Sequence, residues 1–274
     1  MSSAQSASAS LDQPNPIAAQ YPDLVSGTLN GTTMIVPIAL ELARQLIPGG
    51  YAILEQSFRS LLPSFPAGMY PMMVSAKHDH DIQLPAYNLS IPDFTRAAFE
   101  FPFLDLSGDG HTPYRLQDTV LMTASNQGAI SGAAGYGIKV YPADLDPPND
   151  GYRSDGNGGN YFSATSVEQV DGVSKFLTVA STPCAREPPY PIEFIKNITN
   201  QVVFANSSVC DNYQLLFNTS LTAPPFEPQP VTGTVTGLLE PFTTPQTWTG
   251  VFGWNYATAF LEPIAPQACP KASS

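Results

Sequence analysis

From Val25 onward, apolar residues fall in short runs cut by Pro, Gly and Asp. GTLNGTTMIV (27–36) reads as a strand, and Pro37 sits where the first turn of a helix tolerates it. IALELARQLI (38–47) then carries the best 3.6-residue period in the chain, and Pro48-Gly49-Gly50 stops it. Beyond this point the period becomes two. Strands are predicted over Tyr51–Leu54, Tyr70–Lys77, Thr95–Asp105, Tyr114–Ala124 and Gly128–Tyr141. DPPNDGYRSDGNGGN (146–160) reads as a polar loop. Further strands are predicted over Phe162–Val170, Lys175–Ala180, Ile192–Phe194, Gln201–Phe204, Tyr213–Phe217 and Thr232–Leu239. The expected organisation is a disordered lead-in over 1–24, one β-rich domain over 25–262, and a Pro-rich tail over 263–274. Closely spaced short strands with few helices give a mainly β (α+β) fold class, a curved antiparallel β-barrel or cone with flanking sheet.

Composition narrows the partners. Eleven Lys+Arg against 23 Asp+Glu leave a net charge of −12 in 274 residues. So few cations cannot supply a phosphate-binding surface, which excludes nucleic acid as a partner. No run of 18 apolar residues occurs, so no membrane-spanning helix is expected. Asn30, Asn88, Asn197, Asn206 and Asn218 each begin an Asn-X-Ser/Thr sequon. They favour a secreted, extracellular glycoprotein with N-linked glycans, its signal peptide removed, because the N-terminus lacks a basic and apolar leader. Three cysteines allow one disulfide. Cys184 with Cys210 would clip a loop bearing two sequons, whereas Cys210 with Cys269 would tie down the tail. Both pairings are open, and the first enters the expected site.

Four clusters carry candidate chemistry. KHDHD (77–81) ends an apolar strand, and in extended backbone His78 and His80 share one face. Either could move a proton, and His111 could join them on a metal, although no metal is assigned. DFTRAAFEFPFLDL places Arg96 and Glu100 on one face, as outward charges or as a pair lining a pocket. In GAAGYGIKVYP, Lys139 and Tyr141 face the same way; an interior Lys139 would be a proton-transfer or nucleophilic candidate. TWTGVFGWNYATAF supplies Trp248, Trp254 and Tyr256 as a wall for a flat apolar ligand, or as a cap on the core. No GxSxG, CxxC or HExxH motif occurs.

The order ELARQLIPGGYAI, MMVSAKHD, ASNQGAISGAAGYGIKVYP resembles the acetoacetate decarboxylase-like superfamily. That resemblance implies a barrel or cone enclosing a small-molecule cavity. It also implies two lysines after Tyr-Pro, where this chain has Ala143 and Asp144. A scaffold without its lysine pair is similar to secreted fungal hetero-Diels–Alderases of tropolone-sesquiterpenoid pathways. The resulting expectation is a cofactor-free lyase or cyclase of secondary metabolism acting on a small apolar metabolite. Its catalytic set would be His78, His80, Lys139 and Arg96, with Tyr141, Glu100, Trp248, Trp254 and Tyr256 binding substrate. A secreted carrier of an apolar ligand, or a residual decarboxylase using Lys139, are the alternatives, and a homo-oligomer is left open.

Overall fold

The structure is a computed structural model describing residues 10–184, 186–206 and 208–270. Residues 1–9 of the expected lead-in and 271–274 of the expected tail lie outside the described residues. In chain order the strands begin with β1 (Val25–Ala39), β2 (Ala52–Ile53), β3 (Met69–Leu84), β4 (Leu89–Ile91), β5 (Phe94–Asp105) and β6 (Tyr114–Leu116). They continue with β7 (Thr119–Thr123), β8 (Lys139–Asp146), β9 (Arg153–Ser154), β10 (Asn160–Val170), β11 (Val173–Pro183) and β12 (Val202–Phe204). The last are β13 (Val209–Asp211), β14 (Gln214–Leu216), β15 (Gln229–Leu238), β16 (Gln246–Glu262) and β17 (Gln267–Ala268). Among the described residues four short helices interrupt them: α1 (Leu40–Leu46), α2 (Glu55–Leu61), α3 (Gln127–Gly135) and α4 (Ile192–Thr199).

Nine strands close into a barrel, running β1, β16, β15, β11, β10, β8, β7, β5, β3 and back to β1. Every neighbouring pair is antiparallel except β7 with β8, which α3 connects. Closure removes the exposed edges that an open sheet of this size would present. Inside, Phe99 of β5 reaches across to Trp248, ring centroids 5.7 Å apart, and lies where a Cβ on Gly237 of β15 would be 2.8 Å from its ring. A fully buried phenylalanine of this kind contributes about 1.5–3 kcal/mol. On the outside, the far half of β5 leaves the barrel at a break in register marked by Phe103, φ +63°. There it joins β2 and β6, and β6 continues through β12 and β13 to β17, a small flanking sheet.

Three expectations of secondary structure need correction. Residues 126–135 form a capped helix rather than a strand, because Asn126 Oδ1 accepts the Ala129 N–H at 2.9 Å. Ile192–Phe194 opens helix α4, whose Phe194, Ile195, Ile198 and Thr199 are buried at helical spacing. Pro37 lies within β1, opposite Pro71 of β3, and α1 begins three residues later. It is tolerated because β1 has already parted from β16, whose last partner is Ile35, so the missing N–H leaves no ladder bond broken.

The described terminal segments also join the fold. Residues 10–24 plug one barrel mouth instead of trailing as a disordered lead-in: Ser10 and Ile17 are buried, and Thr28 Oγ1 donates to the Gln13 carbonyl. The described part of the tail pairs through β17 with β13. Cys210 is bonded to Cys269 and Cys184 is free, so the pairing expected for Cys184 is not formed. The reason is register. Cys210 lies opposite Gln267, so Cys269, two residues on, shares its face, with the two Cα atoms 4.9 Å apart.

Candidate functional site

Strand pairing builds one cavity on the outer face of the barrel wall. Register sets Lys77 beside Arg96 and Asp79 beside Phe94 on that face, with Glu262 of β16 opposite Val25 of β1. The flanking sheet, α3 and residues 260–266 roof this polar strip, leaving a cavity of about 350 Å³. Its walls are largely apolar, including Ile82, Ile91, Phe94, Val120, Met122, Ile138 and Phe260. The volume lies at the lower end of the range for small-molecule sites.

The polar floor is fixed in advance. Arg96 Nε donates to Asp79 Oδ2 at 2.7 Å and its Nη2 donates to Asp79 Oδ1 at 3.2 Å, a two-pronged ion pair. Burial opposes the guanidinium charge, and the Asp79 carboxylate outweighs it, so Arg96 stays ionised. Arg96 Nη2 also donates to the Tyr213 hydroxyl at 3.1 Å, which leaves the tyrosine proton to point elsewhere. Beside them stand two carboxyl groups without a basic partner in contact. Burial pushes Asp211 up to about 6. Burial, reinforced by the charge of Asp211, pushes Glu262 up to about 8, with the Tyr136 hydroxyl bond opposing the shift. Burial and the neighbouring Asp211 charge together favour the protonated form of Glu262. The cavity therefore offers a carboxylic acid, a carboxylate, a fixed guanidinium and a phenol within apolar walls.

This arrangement has a consequence for stability. Glu262 has a raised folded-state pKa, so its contribution is complete below its ordinary value of 4.5 and is lost as pH rises toward about 8. One such group gives a slope of ~1.4 kcal/mol per pH unit over that window. Urea melts at intervals from pH 5 to 8 are expected to show stability falling for the wild type and a flatter profile for Glu262→Gln. An unchanged slope in the variant would remove the assignment.

Behind the floor lies a second polar layer, which reaches the cavity through Arg115. Glu100 accepts from the Ser75 hydroxyl and pairs with Arg115 Nε at 2.9 Å. Lys77 Nζ, with no hydrogen-bond partner, rests 3.7 Å from the Tyr256 ring centre. Burial, then the charge of Arg96, pulls this amine well below the ordinary lysine range. An amine buried under such conditions adds little as a charge. Lys77→Met is therefore expected to hold or raise the thermal midpoint. A drop beyond about 4 °C, roughly 1 kcal/mol or more for a chain of this size, would show that the ammonium stabilises the fold.

Of the side chains singled out in the sequence, the structure brings only Arg96 into the cavity. Glu100 is buried beneath it and pairs with Arg115, whereas Arg96 pairs with Asp79, so Glu100 is neither the outward charge nor the pocket-lining partner of Arg96 considered for it. His78 and His80 project through the wall to the barrel mouth, on the other face of β3. His111 is exposed and bonded to Asp109, so the three histidines do not converge. Lys139 is 56% exposed and 3.6 Å from Glu240, at the opposite barrel mouth, so it is not the interior amine considered for it. Tyr141 donates to the same Glu240 at 2.6 Å. Trp248 packs on Phe99 and Phe242, Trp254 donates to the Tyr190 carbonyl at 2.8 Å, and Tyr256 is bound to Thr33; none of them lines the cavity. Asn88, Asn197, Asn206 and Asn218 are exposed, whereas Asn30 is buried between Ser10 and Asp12 and has no room for a glycan.

Sequence reading missed Asp211, Glu262, Tyr136 and Tyr213. The available signal was a carboxylate ending a long apolar strand, FLE at 260–262. Only the flanking sheet, which no local pattern announces, encloses it.

Fold and site together define a β-barrel protein with a half-open, acid-bearing cavity. The sequence matches no family model, and no curated protein matches it. Among solved structures, the enduracididine biosynthesis enzyme MppR with HEPES buffer bound is similar, with TM-score 0.48, 9% identity and 98% of each chain covered. An acetoacetate decarboxylase-like enzyme from Sphingomonas wittichii RW1 is similar at TM-score 0.47 and 11% identity, over 90% of this chain and 93% of that one. An acetoacetate decarboxylase is similar at TM-score 0.46 and 8% identity, over 89% and 88%.

Proposed function

We propose that the protein is a lyase or cyclase for a small apolar natural product, working by acid–base chemistry and positioning in the cavity beneath the flanking sheet. The observation that carries this reading is Glu262, a carboxyl group raised to about 8 that faces an apolar chamber beside Asp211 and Arg96. A neutral carboxylic acid at physiological pH is a proton donor, and the ionised Asp211 beside it is an acceptor. In a dehydration, Glu262 would protonate the departing hydroxyl while Asp211 takes a proton from the adjacent carbon. One water leaves, and proton exchange between the two carboxyl groups resets the site. In a cyclisation or hetero-Diels–Alder closure, Glu262, Tyr213 and Arg96 would bind the electron-accepting oxygen and the walls would align the reacting ends. Alignment alone can contribute roughly 7–11 kcal/mol in well-oriented intramolecular cases.

The exposed sequons at Asn88, Asn197, Asn206 and Asn218 support secretion, as does the Cys210–Cys269 disulfide, which persists in oxidising compartments. A fungal hetero-Diels–Alderase activity is the finer form of the same reading. A panel of apolar polyenes and quinone-methide precursors, with products separated chromatographically, tests the proposal. Cyclised or dehydrated product that depends on Glu262 supports it. Ligands that bind and return unchanged would leave a carrier.

A further inference from the structure

On the opposite face of β3 from the cavity, four potential ligands converge. Asp12 arrives on the N-terminal plug, His78 and His80 on β3, and Asp93 from the residue before β5. One donor atom from each lies within 4.8 Å of all the others. His80 Nδ1 is 2.7 Å from Asp93 Oδ2 and 3.7 Å from Asp12 Oδ2, and His78 Nε2 is 3.5 Å from Asp12 Oδ1.

The telling member is His78. It is 1% exposed, and its buried Nε2 faces this cluster without a hydrogen-bond partner. Its other nitrogen is fixed: Nδ1 lies 2.8 Å from Thr95 Oγ1. An Nδ1–H donated to Thr95 would leave the Nε2 lone pair directed at the cluster, the arrangement by which outer partners orient ligand histidines. The carboxylates are supported in the same way. Asn30 Nδ2 donates to Asp12 Oδ1 at 2.9 Å, and the Asp81 N–H donates to Asp93 Oδ1 at 3.2 Å. Among the described residues, Asp12 and Asp93 form ion pairs only with these two histidines. Two carboxylates and two imidazoles suit a borderline divalent cation, and zinc bonds of ~2.0–2.2 Å would set the donors about 3.3 Å apart. A shallow depression lined by Asp12, His80 and Asp93 gives an entry path.

We propose that Asp12, His78, His80 and Asp93 form a tetrahedral zinc site that clasps the N-terminal plug over the barrel mouth. The site touches none of the acid–base groups of the cavity, so it stands or falls separately from the proposed reaction. The protein, stripped with a chelator and dialysed, is titrated calorimetrically with Zn²⁺ alone. One equivalent is expected to bind, with affinity lowered at least about tenfold in Asp93→Asn and in His80→Ala. Asp93 is exposed, so its variant keeps the fold and isolates the ligand effect. Zinc is also expected to slow proteolysis within residues 10–24 of the wild type and not of Asp93→Asn. Absence of stoichiometric binding, or binding unchanged by both substitutions, would overturn the site. Zinc binding that leaves cleavage unaltered would overturn the clasp.

Discussion

Glu262→Gln is expected to lower kcat/KM for cyclised or dehydrated product by about 10²–10⁴-fold while leaving ligand affinity within a small factor. Glutamine keeps the shape and the polar contacts of the protonated acid, so binding survives, but its amide cannot deliver a proton. The wild-type pH profile carries the same information. The proposed reaction needs Asp211 ionised and Glu262 protonated, so its kcat/KM is expected to fall below about 6 and again above about 8. The alkaline limb should vanish in the variant, since no proton remains to be lost from that position. A variant as active as the wild type, or a flat profile, would sink the proton-donor role and leave a cavity that only aligns its substrate.

Replacing both Cys210 and Cys269 by Ser is expected to cost roughly 4 kcal/mol of stability. The bridge closes a loop of 59 residues, and the unfolded-chain entropy removed by a closure of that length is of this order. The double replacement avoids leaving a thiol that could exchange with Cys184. Its consequence reaches the site. Pro263, Ile264 and Pro266 form part of the cavity wall, and Cys269 anchors that segment to β13, which also carries Asp211. A looser wall should therefore raise KM more than it lowers kcat. Urea melts of the two forms measure the first effect and steady-state kinetics the second. Equal stability of the two forms would show that the β13–β17 pairing holds the wall unaided.

The barrel was legible because strand alternation is local. Ser75, Lys77 and Asp79 take one face of β3 and Ala76 and His78 the other, as period two requires. Failures occurred where a short apolar stretch fitted both periods. Ile192–Phe194 is too brief to distinguish a strand from the first turn of α4, and the small residues of α3 leave no apolar stripe to read. Arg96 was legible as either a solvated or a pocket-lining charge. The choice rested on what covers β5.

By itself the sequence determined the fold class and the small stock of ionisable groups from which any chemistry must be drawn. Tertiary structure decided which of those groups matter. Closure of the barrel sent His78 and Arg96 to opposite sides of one wall, although their strands pair and their partners Thr95 and Lys77 are the residues next to them, because alternate residues on a strand face opposite ways. The flanking sheet then brought Asp211 and Glu262, both half-buried, to one cavity from positions about 50 residues apart. A carboxyl group acquires its raised pKa from the medium around it, and that medium is assembled only when distant segments meet.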